Sequence, residues 1–296
     1  MKYFISTWFC FMAVTLGAWG QEDLLQQLEQ SGTVADGKIT GTFKGTRLIN
    51  SHSVETRAQG NLDFIISHRF GRLNSGAYSL FGLDDSNIRL GLDYAVTDQL
   101  TVGLGRNSHF KVYDGFIKYL LLKQQQGERK IPVSVVWFSN MSITTLRRPE
   151  LPMNFQRKLG FTHQVLIARK FNESLSLQLS PSFVHRNLVP LRAEDNDLYA
   201  IGIGGRYRVA PRTSLNVEYF YRLGEKVENT YNALAIGFDI ETGGHVFQLH
   251  LTNAQAMTET GFIPSTTGNF FGGDIHFGFN ISRSFQVGKN GRPSRK

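Results

Sequence analysis

The stretch GGDIHFGFNISRSF, residues 272–285, carries an apolar or aromatic residue at every second position from Ile275 to Phe285, Arg283 excepted. Asp274, His276, Gly278, Asn280, Ser282 and Ser284 fill the positions between. A period of two marks a β-strand, whose successive side chains point to opposite faces. One face here is oily and the other is small and polar. A strand of this kind suits a wall with lipid on one side and an enclosed wet cavity on the other.

The same pattern recurs along the chain. Leu62, Phe64 and Ile66 alternate with Asp63, Ile65 and Ser67; Ile88, Leu90, Leu92 and Tyr94 alternate with Asn87, Arg89, Gly91 and Asp93. Leu175, Leu177 and Leu179, then Tyr199, Ile201 and Ile203, then Leu215, Val217, Tyr219 and Tyr221, and finally Leu234, Ile236, Phe238 and Ile240 repeat it. From Gly60 onward long and short connections take turns. Tight ones fall at 97–99, 125–130, 172–173, 211–213 and 242–244, and longer ones at 72–85, 144–156, 186–197 and 253–270, with intermediates near 108–111 and 224–230. Twelve strands between Asn61 and Phe285 put both chain ends on the side of the short turns, as in an outer-membrane barrel. Segment 41–56 is also strand-like. It is expected either to enter the lumen or pad its mouth as a plug, or to be an extra strand with a fourteenth unseen.

The N-terminus MKYFISTWFCFMAVTLGAWGQ has one lysine, a short apolar run and a small-residue tail, which reads as a signal peptide over 1–20. Cys10, the only cysteine, lies inside it, so the processed chain is expected to hold no disulfide and no thiol nucleophile. Residues 21–40 read as a periplasmic helical extension (EDLLQQLEQ) and a polar linker. Of the formal net charge of +8, about +7 remains once Lys2 is removed. Basic residues are scattered through the strands and cluster only in the tail 287–296, which speaks against nucleic acid as a partner. No apolar run after the signal reaches the roughly 20 residues of a membrane helix. A soluble sandwich or lipocalin-like barrel would alternate too, but with its apolar face inward. Here the other face is rich in Gly, Ser, Ala and Asn, and the apolar face carries aromatics such as Tyr94, Tyr199, Tyr207, Tyr219, Tyr221, Phe247 and Phe277, several near strand ends where membrane girdles sit.

Several stretches carry a family resemblance: TFKGTRLINSHSVET (42–56), LFGLDDSNIRLGLDYAVTDQLTVGLGR (80–106), YDGFIKYLLLKQQ (113–125), IGGRYRVAPRTSLNVEYFYRL (203–223) and the block from Glu241 to Phe285. Together they resemble the membrane-bound β-barrel domain of unknown function, number 5777 in that naming series, of Gram-negative bacteria. The resemblance spans essentially the whole processed chain and implies an outer-membrane barrel of unassigned activity, with no functional residues to carry over.

On the luminal face of the last two strands stand Gln248, His250, Asp274, His276 and Asn280, the candidate ligand-binding residues. Imidazole and carboxylate together suit a polar solute or a transition metal, but no HxxxH or cysteine spacing supports a dedicated metal site, and neither a metal nor a cofactor is expected. A hydrogen-bonded network that fixes the interior is the plainer reading of the same residues. The remaining luminal charges, Asp63, Arg69, Arg89, Asp93, Asp114, Lys118, Arg206, Glu218, Arg222 and Asp239, are of mixed sign and are expected to pair across strands, because an unpaired charge in a narrow interior is costly. For catalysis the candidates are Ser108-His109 and Ser51-His52-Ser53; neighbours on a strand point to opposite faces, so Ser108 and His109 cannot be nucleophile and base unless they sit in a bent loop. The sequence therefore predicts an all-β, antiparallel outer-membrane barrel over 41–286 of about twelve strands, not an enzyme. Its partners are outer-membrane lipid, a small solute that it passes or binds, and a periplasmic protein if the barrel is instead a sealed docking device. A lipid-modifying enzyme is the third reading.

Overall fold

Twelve strands of alternating pattern close into one antiparallel barrel in the computed structural model, which describes residues 37–127, 130–147, 154–189, 194–225 and 227–288. The expected signal peptide, nearly all of the extension at 21–40 and nearly all of the tail lie outside the described residues. The strands are β1 (Asn61–Arg72), β2 (Ser86–Ala95), β3 (Leu100–Asn107), β4 (Val112–Leu122), β5 (Ser134–Thr144), β6 (Leu159–Lys170), β7 (Leu175–Arg186), β8 (Asp197–Ala210), β9 (Thr213–Leu223), β10 (Leu234–Thr242), β11 (His245–Thr252) and β12 (His276–Gln286). Each pairs with its neighbours in sequence, and β1 pairs with β12 from Asn61↔Gln286 to Arg69↔Gly278, so no edge is left open.

The two faces divide by chemistry. On β12, Phe277, Phe279 and Ile281 point outward and His276, Gly278 and Asn280 inward. Leu104 is 70% exposed and Ile203 and Phe238 are about half exposed on the outer wall, whereas Arg89, Asp63 and Thr162 in the lumen are fully enclosed. A predominantly oily exterior around a polar interior reverses the soluble arrangement and suits a lipid solvent. The short turns lie on the side of the chain ends, and side chains shape them. Asn172 Oδ1 accepts from the backbone N–H of Ser174 and Leu175 at 2.9 and 2.8 Å, and Thr97 Oγ1 accepts from Leu100 at 2.9 Å.

A twelve-stranded wall encloses more space than its own side chains fill. Two segments occupy it. From the periplasmic end, residues 42–55 fold into the lumen and are buried except for Lys44. From the outer end, the β11–β12 connection turns inward and forms one short helix, α1 (Glu259–Ser265), where the sequence suggests only a loop. Segment 42–55 adds no strand to the wall. Despite its apolar residues it finds no free edge, because β1 and β12 have already joined, and it pairs only with itself at Arg47↔His52.

Candidate functional site in the barrel lumen

Residues 46–53 form a tight hairpin closed by backbone bonds from Leu48 N–H to Ser51 O and from Ser53 N–H to Thr46 O, both 2.9 Å. Its tip points three successive N–H groups, from Ile49, Asn50 and Ser51, at the Glu218 carboxylate of β9 (3.4, 3.2 and 3.1 Å), and the Ser51 hydroxyl donates to it at 2.7 Å. Successive N–H groups turned to one side make a nest for an anion, and here the barrel wall supplies the anion.

Other wall side chains reach the same inner segment. Gln248 on β11 donates to Leu48 O (2.8 Å), Asn280 on β12 to Ile49 O (3.0 Å) and Arg69 on β1 to Asn50 Oδ1 (2.9 Å). Gln178 on β7 accepts from Val54 N–H and donates to His52 O, at 2.9 and 2.8 Å. Lys118 on β4 donates to Glu55 O at 2.5 Å, and Arg206 on β8 to Gly41 O at 3.1 Å. The luminal charges therefore pair across strands less than the sequence suggests. Arg89 and Asp114 do form a two-bond pair (2.9 and 2.5 Å), but Glu218, Lys118 and Arg206 are turned to the inner segment instead. Arg89 lies over Gly105, where an added Cβ would fall 2.2 Å from its guanidinium, so glycine on β3 makes room for the pair.

Apolar contacts complete the seat. Phe43, Leu48 and Val54 pack against Phe116, Val136, Phe138 and Leu166 of the wall, and the His52 ring sits 4.5 and 4.4 Å from the Phe116 and Phe138 rings. Burial, followed by the nearby Arg47 and Lys118 charges, holds the His52 imidazole well below its usual value, so it is neutral at physiological pH. The α1 segment is seated differently. Phe262, Ile263 and Ala254 pack on Val184, Ala200, Phe220 and Ala233, with Phe262 edge-on to Phe220 at 5.1 Å. The two inner segments meet where Arg47 Nη1 lies 3.9 Å from Glu259 Oε1. Burial pushes the Glu259 carboxyl up to about 7 against the pull of Arg47.

Gln248 and Asn280 face each other across β11 and β12 and share a 2.9 Å bond, and both are committed to the hairpin. His250 stands opposite Gly278, buried. His276 stands opposite Thr252, with Nδ1 2.8 Å from Phe70 O. Asp274 is not on this face. It precedes β12 at the outer rim, accepts from Asn74 (2.9 Å) and the Asn269 N–H (3.0 Å), and pairs with Arg72 at 3.2 Å. The Asn74 bond foremost holds its carboxyl below the usual range. No group of three or more His, Cys, Asp or Glu side chains is placed to hold a metal among the described residues.

The serines considered for catalysis have structural partners. Ser108 Oγ accepts from Ile88 N–H (2.9 Å), and Ser53 Oγ donates to Gly45 O (2.6 Å). Sequence reasoning missed the role of Glu218 and Gln178 toward the hairpin, and it missed a pair on the outer wall, Ser139 of β5 and His163 of β6, whose Oγ and Nδ1 are 2.9 Å apart. Their signal was present: each is a polar residue at an outward position between apolar ones, Trp137 and Met141 in one strand, Phe161 and Val165 in the other.

Residues 43–285 match the family described as Membrane bound beta barrel domain (DUF5777). The chain belongs to this family. With an oily exterior around a closed barrel, the family member is an outer-membrane protein that crosses the bilayer with its strands. Among solved structures it is similar to the NanC porin (8% identity, TM-score 0.49, covering 76% of this chain and 100% of that one). It is also similar to the KdgM porin in complex with disordered oligogalacturonate (8%, 0.47, 76% and 99%) and to the outer membrane protein Omp33 of Acinetobacter baumannii (8%, 0.42, 78% and 100%). No curated protein matches the chain.

Proposed function

We propose that the barrel passes a small polar solute across the outer membrane and that residues 42–55 are a displaceable plug. The observation that carries this reading is the Glu218 contact: a buried wall carboxylate holds the hairpin through its backbone N–H groups. Bonds from wall side chains to a backbone are interchangeable with water. Once the hairpin leaves, Glu218, Gln248, Asn280, Arg69, Gln178 and Lys118 become the lining of a wet channel, and mixed charge suits a polar solute better than one sign of ion. No step of this reading is catalytic.

The test is conductance of the purified protein in planar bilayers. Small or absent conductance in the full chain, and clear conductance after deletion of 21–56, is the expected result; a silent barrel after deletion, still folded by heat-modifiable electrophoretic mobility, overturns it. A second reading, a sealed barrel that recruits a periplasmic protein, draws support from the chain's exit. Ile39 N–H donates to Gln124 O, and Gln126 N–H to Gly37 O, both 2.8 Å, so the inner segment leaves beside the periplasmic β4–β5 turn. Capture of a periplasmic partner by a 21–40 peptide, together with a silent deletion variant, would favour it.

A further inference from the structure

The rim at the outer end of the barrel divides into two halves of different charge. Among the described residues, the cations over β7 to β12 and β1 are committed: Arg186 pairs with Glu194 at 2.7 Å, Arg72 pairs with Asp274 at 3.2 Å and Arg222 donates to Pro264 O at 3.0 Å. At the outer ends of β3 to β6 stand Arg106, Lys111, Arg147, Arg157 and Lys158, and none of the five meets a carboxylate among the described residues. Arg106 points outward on β3, and its guanidinium lies 5.7 Å from the centre of the Tyr113 ring, outward on β4. Phe110 and Lys111 make the turn between these strands at φ of +51° and +50°, a region few such residues adopt. The Thr144 and Thr145 hydroxyls hold the turn there, donating to the Phe110 and Lys111 carbonyls at 2.9 and 2.6 Å. On the periplasmic side of this patch the outer wall carries an apolar groove of about 530 Å3, lined by Leu92, Leu104, Ile117 and Met141 and deepened at Gly115, which turns no side chain outward. Its upper end, the facing pair Leu104 and Gly115, lies two residues, about 7 Å of strand, from the facing pair Arg106 and Tyr113.

We propose that this face of the wall binds a phosphorylated, acylated glycolipid of the outer leaflet, with its phosphates on Arg106, Lys111, Arg157 and Lys158 and an acyl chain in the groove. The patch lies at the end away from the short turns, so the lipid it meets is that of the outer leaflet, whose anionic component carries phosphate on a sugar headgroup. Basic residues clustered at a membrane surface hold anionic headgroups, each contributing about fivefold to binding. Half of a hydrocarbon core of roughly 30 Å gives a chain the reach to run from the rim past Leu104 to Ile117. Cations that served to draw an anionic solute to the mouth would turn inward, whereas Arg106 and its Tyr113 ring turn to the lipid side. A merely solvated set of charges would need neither the fixed turn at Phe110 and Lys111 nor an apolar groove beneath it.

The experiment is native mass spectrometry of the protein in detergent, stripped of copurified lipid and titrated with three probes: bisphosphorylated lipid A, the same lipid A with its phosphates removed, and phosphatidylglycerol as an anionic lipid of the other leaflet. The bisphosphorylated form should bind most tightly, with each of the other two weaker by at least about tenfold. Arg106→Gln, Lys111→Gln and Arg157→Gln combined should lower its affinity on the order of 10²-fold. Gly115→Leu, which fills the groove and leaves every cation in place, should also weaken binding. Heat-modifiable mobility shows that each variant remains a folded barrel. Because Gly115 turns away from the lumen, conductance before and after deletion of 21–56 should be the same in Gly115→Leu as in the wild type, so failure of the lipid site and failure of the passage reading are read separately. Equal binding of the three lipids by the wild type overturns the proposal, as does wild-type affinity in the triple variant or in Gly115→Leu.

Discussion

The two segments that fill the barrel are held by opposite means. The hairpin at 46–53 is read through its backbone by Glu218, Gln248, Asn280 and Gln178, and through the Asn50 side chain by Arg69, whereas α1 is held by Phe262 and Ile263 against apolar wall residues. Water can replace a side chain that bonds a backbone, so the net value of each such contact is small, about 0.5–1.5 kcal/mol, rising to about 1.5–3 where the partner is charged. An apolar seat has no such substitute, and truncating a buried Phe costs about 3–5 kcal/mol. The polar seat is suited to release and the apolar one to permanence. Glu218→Ala tests this most severely. It removes the acceptor of three N–H groups and one hydroxyl, a loss of about 2–5 kcal/mol for a buried, hydrogen-bonded charge, and the conducting fraction in planar bilayers should rise at least about thirty-fold.

Where the seats meet, pH should tip the balance. Glu259 beside Arg47 has its carboxyl raised to about 7 from an ordinary 4.5. Between those values the docked segment binds more protons than the undocked one, so docking is strongest below about 4.5, weakens as pH rises and has lost this contribution above about 7. Conductance should therefore increase roughly seventy-fold from pH 5 to pH 8. Glu259→Gln should flatten the dependence and leave the barrel shut across the range.

Much of this comparison was legible in the sequence, but only on the wall side of each contact. Alternation such as that of Leu90, Leu92 and Tyr94 against Arg89, Gly91 and Asp93 gives strand, face and lipid exposure together, because a one-residue slip would turn every oily side chain inward. The twelve strands and their connections follow from that alone. What wall periodicity cannot convey is which luminal residue meets an element that is not part of the wall. Glu218 reads in sequence as one more inward charge on β9, and its partners lie some 168 residues away in a segment whose own pattern resembles a strand. Gln248 and Asn280 were recognisable as a facing pair, since β11 and β12 are joined in sequence. Their carbonyl partners at Leu48 and Ile49 were not. Asp274 is the opposite case: the alternating pattern runs on two residues ahead of β12, but there the chain is already in the turn where that carboxylate binds Asn74 and Arg72.

A facing pair of amides also separates the two readings of the candidate ligand site. Gln248→Leu and Asn280→Leu each remove a donor to the hairpin backbone, and water reaches the freed carbonyls, so each should weaken docking by about 1 kcal/mol and raise the conducting fraction about fivefold. The double variant should raise it by less than the product, because the two amides share a bond and act as one unit. If these residues instead serve only a solute, the same variants would change selectivity in the plug-deleted barrel and leave opening of the full chain untouched.

Phe262→Ala should have the smallest effect on conductance although it carries one of the largest local costs. Its ring fills the space beside Phe220, Ala200 and Val184, and its loss should free α1 from the outer mouth, exposing the 253–266 segment to protease added from outside. The hairpin lies below, still bound through Glu218, so a barrel with its outer segment loosened should conduct less than about twice as well as the wild type. Opening comparable to that of Glu218→Ala would mean that the apolar seat restrains both segments through Arg47 and Glu259, and the division between a releasable polar seat and a permanent apolar one would fail.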